Sequence, residues 1–154
     1  MEWKWTVEAL IALFALIISI ISLIKSWQAK DMTNKLTDEA NMLTKGQVEI
    51  QIREMISAAR HRYSEMGCKF LNKEAMDEMA NNFINSATED YLNAYDEACA
   101  KYLDGKVDKK RFKKLYFNEI KNLVEHEQTK EKYIGPQTRF QDTVDVYNEW
   151  CKGN

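Results

Sequence analysis

"EALIALFALIISIISLIKS", Glu8 to Ser26, is almost entirely hydrocarbon, yet Ser19, Ser22 and Ser26 fall on one line with Ala12, Ala15 and Glu8 at spacings of three and four. Within it, Val7 to Ile24 is a run of 18 residues whose only charge, Glu8, lies at the edge. As a helix rising about 1.5 Å per residue the run covers about 27 Å, close to the roughly 30 Å hydrocarbon core of a bilayer. Twelve of its residues are large and apolar, and at roughly −0.3 to −0.6 kcal/mol each they outweigh a few serines. Trp3 and Trp5 precede the run and Trp27 follows it, as expected of indole rings anchored at headgroup level. The sequence therefore predicts a single transmembrane helix. A cleaved signal peptide is the rival, but its apolar region is usually shorter and ends at small residues. Here the run leads into Lys25-Ser26-Trp27-Gln28 and further helical pattern.

The lysines set the expected orientation. Lys4 precedes the span, whereas Lys25, Lys30, Lys35 and Lys45 follow it. The positive-inside bias then places the N-terminus outside and the C-terminal part in the cytoplasm of a cell whose inner (plasma) membrane holds the span. Cys68, Cys99 and Cys151 are odd in number and lack metal-ligand spacing, so they are expected to be small buried or semi-buried side chains in a reducing compartment.

Continued in steps of four and three, the line runs Glu8, Ala12, Ala15, Ser19, Ser22, Ser26, Ala29, Thr33, Leu36, Ala40 and Leu43. This is a heptad seam, small and hydroxylated in the apolar run and partly aliphatic beyond it. In lipid, helices associate through small residues and hydroxyl hydrogen bonds; in water they need aliphatic seams. Residues Glu8, Ala12, Ala15, Ser19, Ser22 and Ser26 are thus candidate pore-lining or helix-packing positions in a homo-oligomer. A sealed oligomer and a monomeric anchor whose serines bond their own carbonyls are the alternatives.

Elsewhere the chain is rich in charge and holds one proline and five glycines among 154 residues, which points to an all-α protein. The expected organisation is 1–27 transmembrane helix, 28–46 helical or coiled-coil connector, and 47–154 cytoplasmic four-helix domain. Gly46 is read as a break, Gly67 as a helix stop, and Asp104-Gly105 as another stop. The first helix of the domain presents Val48, Ile52, Met55, Ala59, Tyr63 and Met66. A long helix over 72–103, with Asn72 as its cap, presents Met76, Met79, Ala80, Phe83, Ile84, Ala87, Tyr91, Ala94, Tyr95, Ala98 and Tyr102. Asp108 is expected to cap a helix to about Gln128 with Phe112, Leu115, Tyr116, Ile120, Leu123 and Val124 inward. A Gly135-Pro136 turn precedes a last helix, from about Thr138, that buries Phe140, Val144, Tyr147 and Trp150.

Catalytic constellations are scarce. His61 and His126 form no metal motif, and no phosphate loop, nucleotide fingerprint or nucleophile elbow occurs. No cofactor is implied, and the chain does not read as an enzyme. One cluster is conspicuous: Lys106, Lys109, Lys110, Arg111, Lys113 and Lys114, six cations within nine residues. Cations at a helix start oppose its dipole and invite an anion. The expected counterions are the carboxylates of the preceding helix, Glu74, Asp77, Glu78, Glu89, Asp90, Asp96 and Glu97. An anionic nucleotide or nucleic acid, a cytosolic regulatory protein, or lipid headgroups are the external choices.

The layout of one self-associating span followed by a small helical domain resembles small single-span transmembrane effectors of bacterial antiphage defence systems. That resemblance implies a cytosolic regulatory domain controlling a membrane segment that disrupts membrane potential, plausibly as a gated oligomeric pore. The alternative function is a non-catalytic membrane-anchored adaptor whose bundle docks a protein partner.

Overall fold

The computed structural model describes residues 2–70, 78–127, 129–133 and 138–153, with the side chains of 2–6 and 70 excepted. The expected anchors Trp3 and Trp5, the cap Asn72, Met76, and the Gly135-Pro136 turn therefore lie outside the described residues or side chains. Every described element is an α-helix: α1 Glu2–Phe70, α2 Glu78–Leu103, α3 Lys109–Glu125, α4 Lys130–Tyr133 and α5 Gln141–Cys151. The chain divides into two compact units, Met1–Leu43 and Thr44–Asn154.

The first unit is helical throughout its described length. Its apolar window has a mean hydropathy of 2.8 and none of it is buried. Leu10, Ile11, Phe14, Ile18 and their neighbours are 44–65% exposed. This is a helix long and apolar enough to cross a membrane, near the N-terminus. A water-soluble helix would turn one such stripe onto a core; here large apolar side chains surround the helix.

Gly46 and Gly67 do not end helices, contrary to the reading of the sequence: both lie inside α1. Glycine inside a helix costs about 1 kcal/mol relative to alanine, a penalty that the helix-forming flanks and packed Ile52, Ile56 and Ala59 outweigh. The stop requires a left-handed residue, and Gly105 supplies one with φ 70°. There Lys106 N–H donates to the Lys101 carbonyl at 3.0 Å and Gly105 N–H to that of Tyr102 at 3.1 Å. Those paired bonds close the last turn of α2.

The second unit has one core. The C-terminal part of α1 contributes Ile52, Ile56 and Ala59; α2 contributes Leu92, Ala94, Tyr95, Ala98, Cys99 and Tyr102. Val107, Phe112, Tyr116, Ile120, Leu123, Tyr133, Phe140 and Val146 complete it. The rings form a continuous series: Tyr63 stacks on Tyr91, Tyr91 meets Tyr95 edge-on, and Tyr95 meets Tyr116. Phe112 then joins Tyr116 to Tyr102 and Trp150.

Several expected inward positions are not buried. Leu115 is 46% exposed, Phe83 53% and Met79 66%. Helical spacing places them on the edge of each stripe, where the core does not reach. The helix α2 runs without interruption from Glu78 to Leu103. Helix α5 begins at Gln141 rather than Thr138. Val146 and Thr143 are fully buried on it, whereas Val144, Tyr147 and Trp150 are half-buried. The reason is a cap borrowed from another helix: the Asp96 carboxylate accepts from Thr143 N–H at 2.9 Å and its hydroxyl at 3.0 Å. Phe140, at the N-cap, has no side-chain acceptor to offer.

Candidate functional site

The small-residue stripe lies on the exposed first unit. Glu8, Ala12, Ala15, Ser19, Ser22 and Ser26 are all solvent-facing in the single chain. The Ser19 hydroxyl donates to the Ala15 carbonyl at 2.8 Å. Thr33 and Thr37 make the same bond one turn back, each at 2.9 Å. A hydroxyl bonded in this way is satisfied within its own helix and retains acceptor lone pairs.

The basic cluster falls at the start of α3, where Asp108 caps the helix by accepting from Arg111 N–H at 2.9 Å. That bond holds the Asp108 carboxyl below its ordinary pKa. Among the described residues the cluster's ion pairs are with Glu49 and Asp104. Arg111 Nε lies 3.2 Å from Glu49 Oε2, and Glu49 Oε1 also accepts from Asp108 N–H at 3.2 Å. The Glu49 side chain is only 11% exposed, so a carboxylate from α1 sits against the α3 N-terminus and offsets its partial positive charge. Of the acids of α2, Glu89 pairs with Arg139, Asp90 with Arg62 and Glu97 with Lys101, and Asp96 accepts from Thr143; Glu74 and Asp77 lie outside the described residues. Lys106 pairs with Asp104 at 2.7 Å. Lys109 lies over the Tyr102 ring at 4.8 Å, and Lys113 over those of Trp150 and Phe117 at 5.7 and 5.9 Å. Lys110 and Lys114 are exposed.

A third feature was not anticipated from the sequence. Within the second unit, Arg60, Tyr63, Thr88, Tyr91, Glu119, Asn122, Leu123, His126 and Thr129 line a cleft of about 430 Å³. Its floor is a three-helix network. Arg60 Nη2 donates to Tyr95 Oη at 2.8 Å and pairs with Glu119 Oε1 at 2.9 Å; Tyr95 Oη donates to Glu119 Oε2 at 2.6 Å. Burial, with the adjacent carboxylate next, pushes the Tyr95 hydroxyl far above its ordinary pKa. The hydrogen bond to Tyr95 first, and the Glu119 carboxylate beside it, push Arg60 up, so the guanidinium stays charged. Tyr63 and Tyr91, stacked at 5.3 Å with 13° between planes, form one wall.

Among the described residues no group of three or more His, Cys, Asp or Glu side chains is placed to hold a metal. His61 and His126 are exposed, and His126 closes α3. Cys68 and Cys151 are free and exposed; Cys99 is free and buried, its thiol pushed up to about 12 by desolvation. No protein-family model matches the chain, and neither a curated protein nor a solved structure matches it.

Proposed function

We propose that the chain is a self-associating single-pass membrane effector, in which copies of the N-terminal helix assemble through the Ala12-Ala15-Ser19-Ser22-Ser26 stripe. In this reading the assembly forms a gated pore and the cytoplasmic bundle regulates it. The observation that carries the membrane part is the apolar window with none of its side chains buried: such a surface is stable only against lipid or other copies of itself. Small residues on one face support self-association, because they let helix backbones approach. The charged second unit with its own core supports a regulatory role outside the bilayer.

The intrahelical bond of Ser19 favours a second reading, a membrane-anchored adaptor, since a hydroxyl satisfied by Ala15 needs no lumen. Disulfide trapping separates monomeric anchors from assemblies. In a Cys68→Ser, Cys151→Ser background, Ser22→Cys chains in membranes should oxidise to dimers, while Ile24→Cys chains, on the opposite side of the helix, should not. Equal yields at both positions would remove the stripe as the contact.

A further inference from the structure

The cleft floored by Arg60 and Glu119 has an asymmetry of hydrogen-bonding capacity. Its only carboxylate among the described residues, Glu119, already receives one donor on each oxygen, from Arg60 and from Tyr95. Two of its hydroxyls donate to backbone carbonyls: Thr88 to Ile84 at 2.8 Å and Thr129 to Leu123 at 2.6 Å. Arg60 differs. Both of its contacts use Nη2, so the N–H groups on Nε and Nη1, which point in different directions, have no partner among the described contacts, and the side chain is 49% exposed. Asn122 is exposed beside it and carries an amide. Among the described contacts, the cleft thus offers uncommitted guanidinium donors next to an aromatic wall, with its described carboxylate already engaged. A volume near 430 Å³ lies within the roughly 300–1,000 Å³ of small-molecule sites.

We propose that this cleft is a binding site for a small aromatic carboxylate, whose carboxyl group accepts from a remaining N–H of the Arg60 guanidinium and whose ring lies against Tyr63 and Tyr91. A hydrogen bond from a charged guanidinium to a carboxylate is roughly twice as strong as one between neutral groups, and an offset or edge-on aromatic contact contributes about 0.5–1.5 kcal/mol beyond the area buried. The Glu119 carboxylate does not repel the ligand strongly, because Arg60 and the Tyr95 hydroxyl neutralise and solvate it. Bound there, the ligand touches α1 through Arg60 and Tyr63, α2 through Tyr91, and α3 through Asn122. It would therefore join three helices of the bundle. The proposal is independent of membrane assembly.

The test uses the full chain in detergent micelles with 4-fluorobenzoate as probe, read by fluorine NMR line broadening against empty micelles. Saturable broadening by the protein is expected, weakened at least tenfold by Arg60→Gln and by Tyr63→Ala. The neutral isostere 4-fluorobenzamide should bind at least tenfold more weakly. Lys110→Gln, on the outer face of α3, should bind as the parent does. Near-UV circular dichroism of each variant establishes that the bundle remains folded; Tyr63, 37% exposed, can be truncated without opening the core. Broadening no greater than in empty micelles would overturn the proposal. So would undiminished binding by folded Tyr63→Ala, or a loss in Lys110→Gln equal to that in Arg60→Gln, which would put the carboxylate on the basic cluster.

Discussion

Asp96 on α2 caps α5 from a distance of 47 residues, accepting both the backbone N–H and the hydroxyl of Thr143. The cap explains why a threonine is fully buried in an otherwise apolar core. Replacing Asp96 by Ala leaves a buried hydroxyl and an amide without their acceptor, at a cost of about 1–3 kcal/mol. Thr143→Val removes one of the two bonds and should cost less. Thermal unfolding of the bundle followed by near-UV circular dichroism orders the two; an Asp96→Ala variant as stable as the parent would show that the cap contributes nothing.

The glycines separate by backbone geometry. Gly105 adopts φ 70°, whereas Gly46 is helical with no atom within 4 Å of an added Cβ. Gly46→Ala should stabilise by about 0.5–1 kcal/mol. Gly105→Ala should destabilise by about 1–2 kcal/mol, the cost of a left-handed conformation for an L-residue. Opposite shifts in melting temperature check both.

Much of the fold is legible in the sequence because it is written locally. Asp108 before Phe112 and Tyr116 marks the start of α3, and Asp104-Gly105 marks the end of α2. The apolar run between Val7 and Ile24 marks a helix long and apolar enough to cross a membrane, with none of its apolar window buried. Gly46 misled because glycine is read as a stop, when only a glycine with positive φ makes one. The partners of the basic cluster were not legible: Glu49 meets Asp108 across 59 residues, and nothing in the spacing of charges distinguishes it from the acids of α2. The Arg60 cleft was hidden for the same reason, since its floor joins positions 35 and 24 residues apart.

The acid dependence of α3 follows from its cap. Hydrogen bonding to Arg111 N–H lowers the Asp108 pKa in the folded chain. Its contribution is therefore present above the unfolded value, about 3.9, and is lost as pH falls through the lower folded value. Asp108→Asn, which also caps but does not titrate there, should show a smaller loss of stability between pH 5 and pH 2, with both ends of that range set by about one to two units around an ordinary aspartate. Identical acid profiles for the two chains would exclude the carboxylate cap as a contributor.

Thiol chemistry reports both burial and orientation. Cys99 is buried and its thiol is pushed up to about 12, so in native detergent-solubilised protein a maleimide should modify Cys68 and Cys151 and spare Cys99 until denaturant is added. In intact cells an impermeant maleimide should modify none of the three, as an outside N-terminus requires. Labelling of Cys68 or Cys151 before permeabilisation would reverse the orientation.

The central claim, that helices assemble through the stripe into a conducting path, is tested most directly by current through the purified chain in planar bilayers. Leucine inserts more favourably than serine, so the Ser19→Leu, Ser22→Leu double variant should still enter the membrane. Bulky apolar side chains at those positions would close or dewet a narrow lumen. The account predicts discrete conductance from the parent chain and its loss in the double variant at equal membrane incorporation, with Glu8→Gln retaining conductance but reducing cation preference. Conductance unchanged in the double variant, or none from the parent at confirmed incorporation, would contradict it.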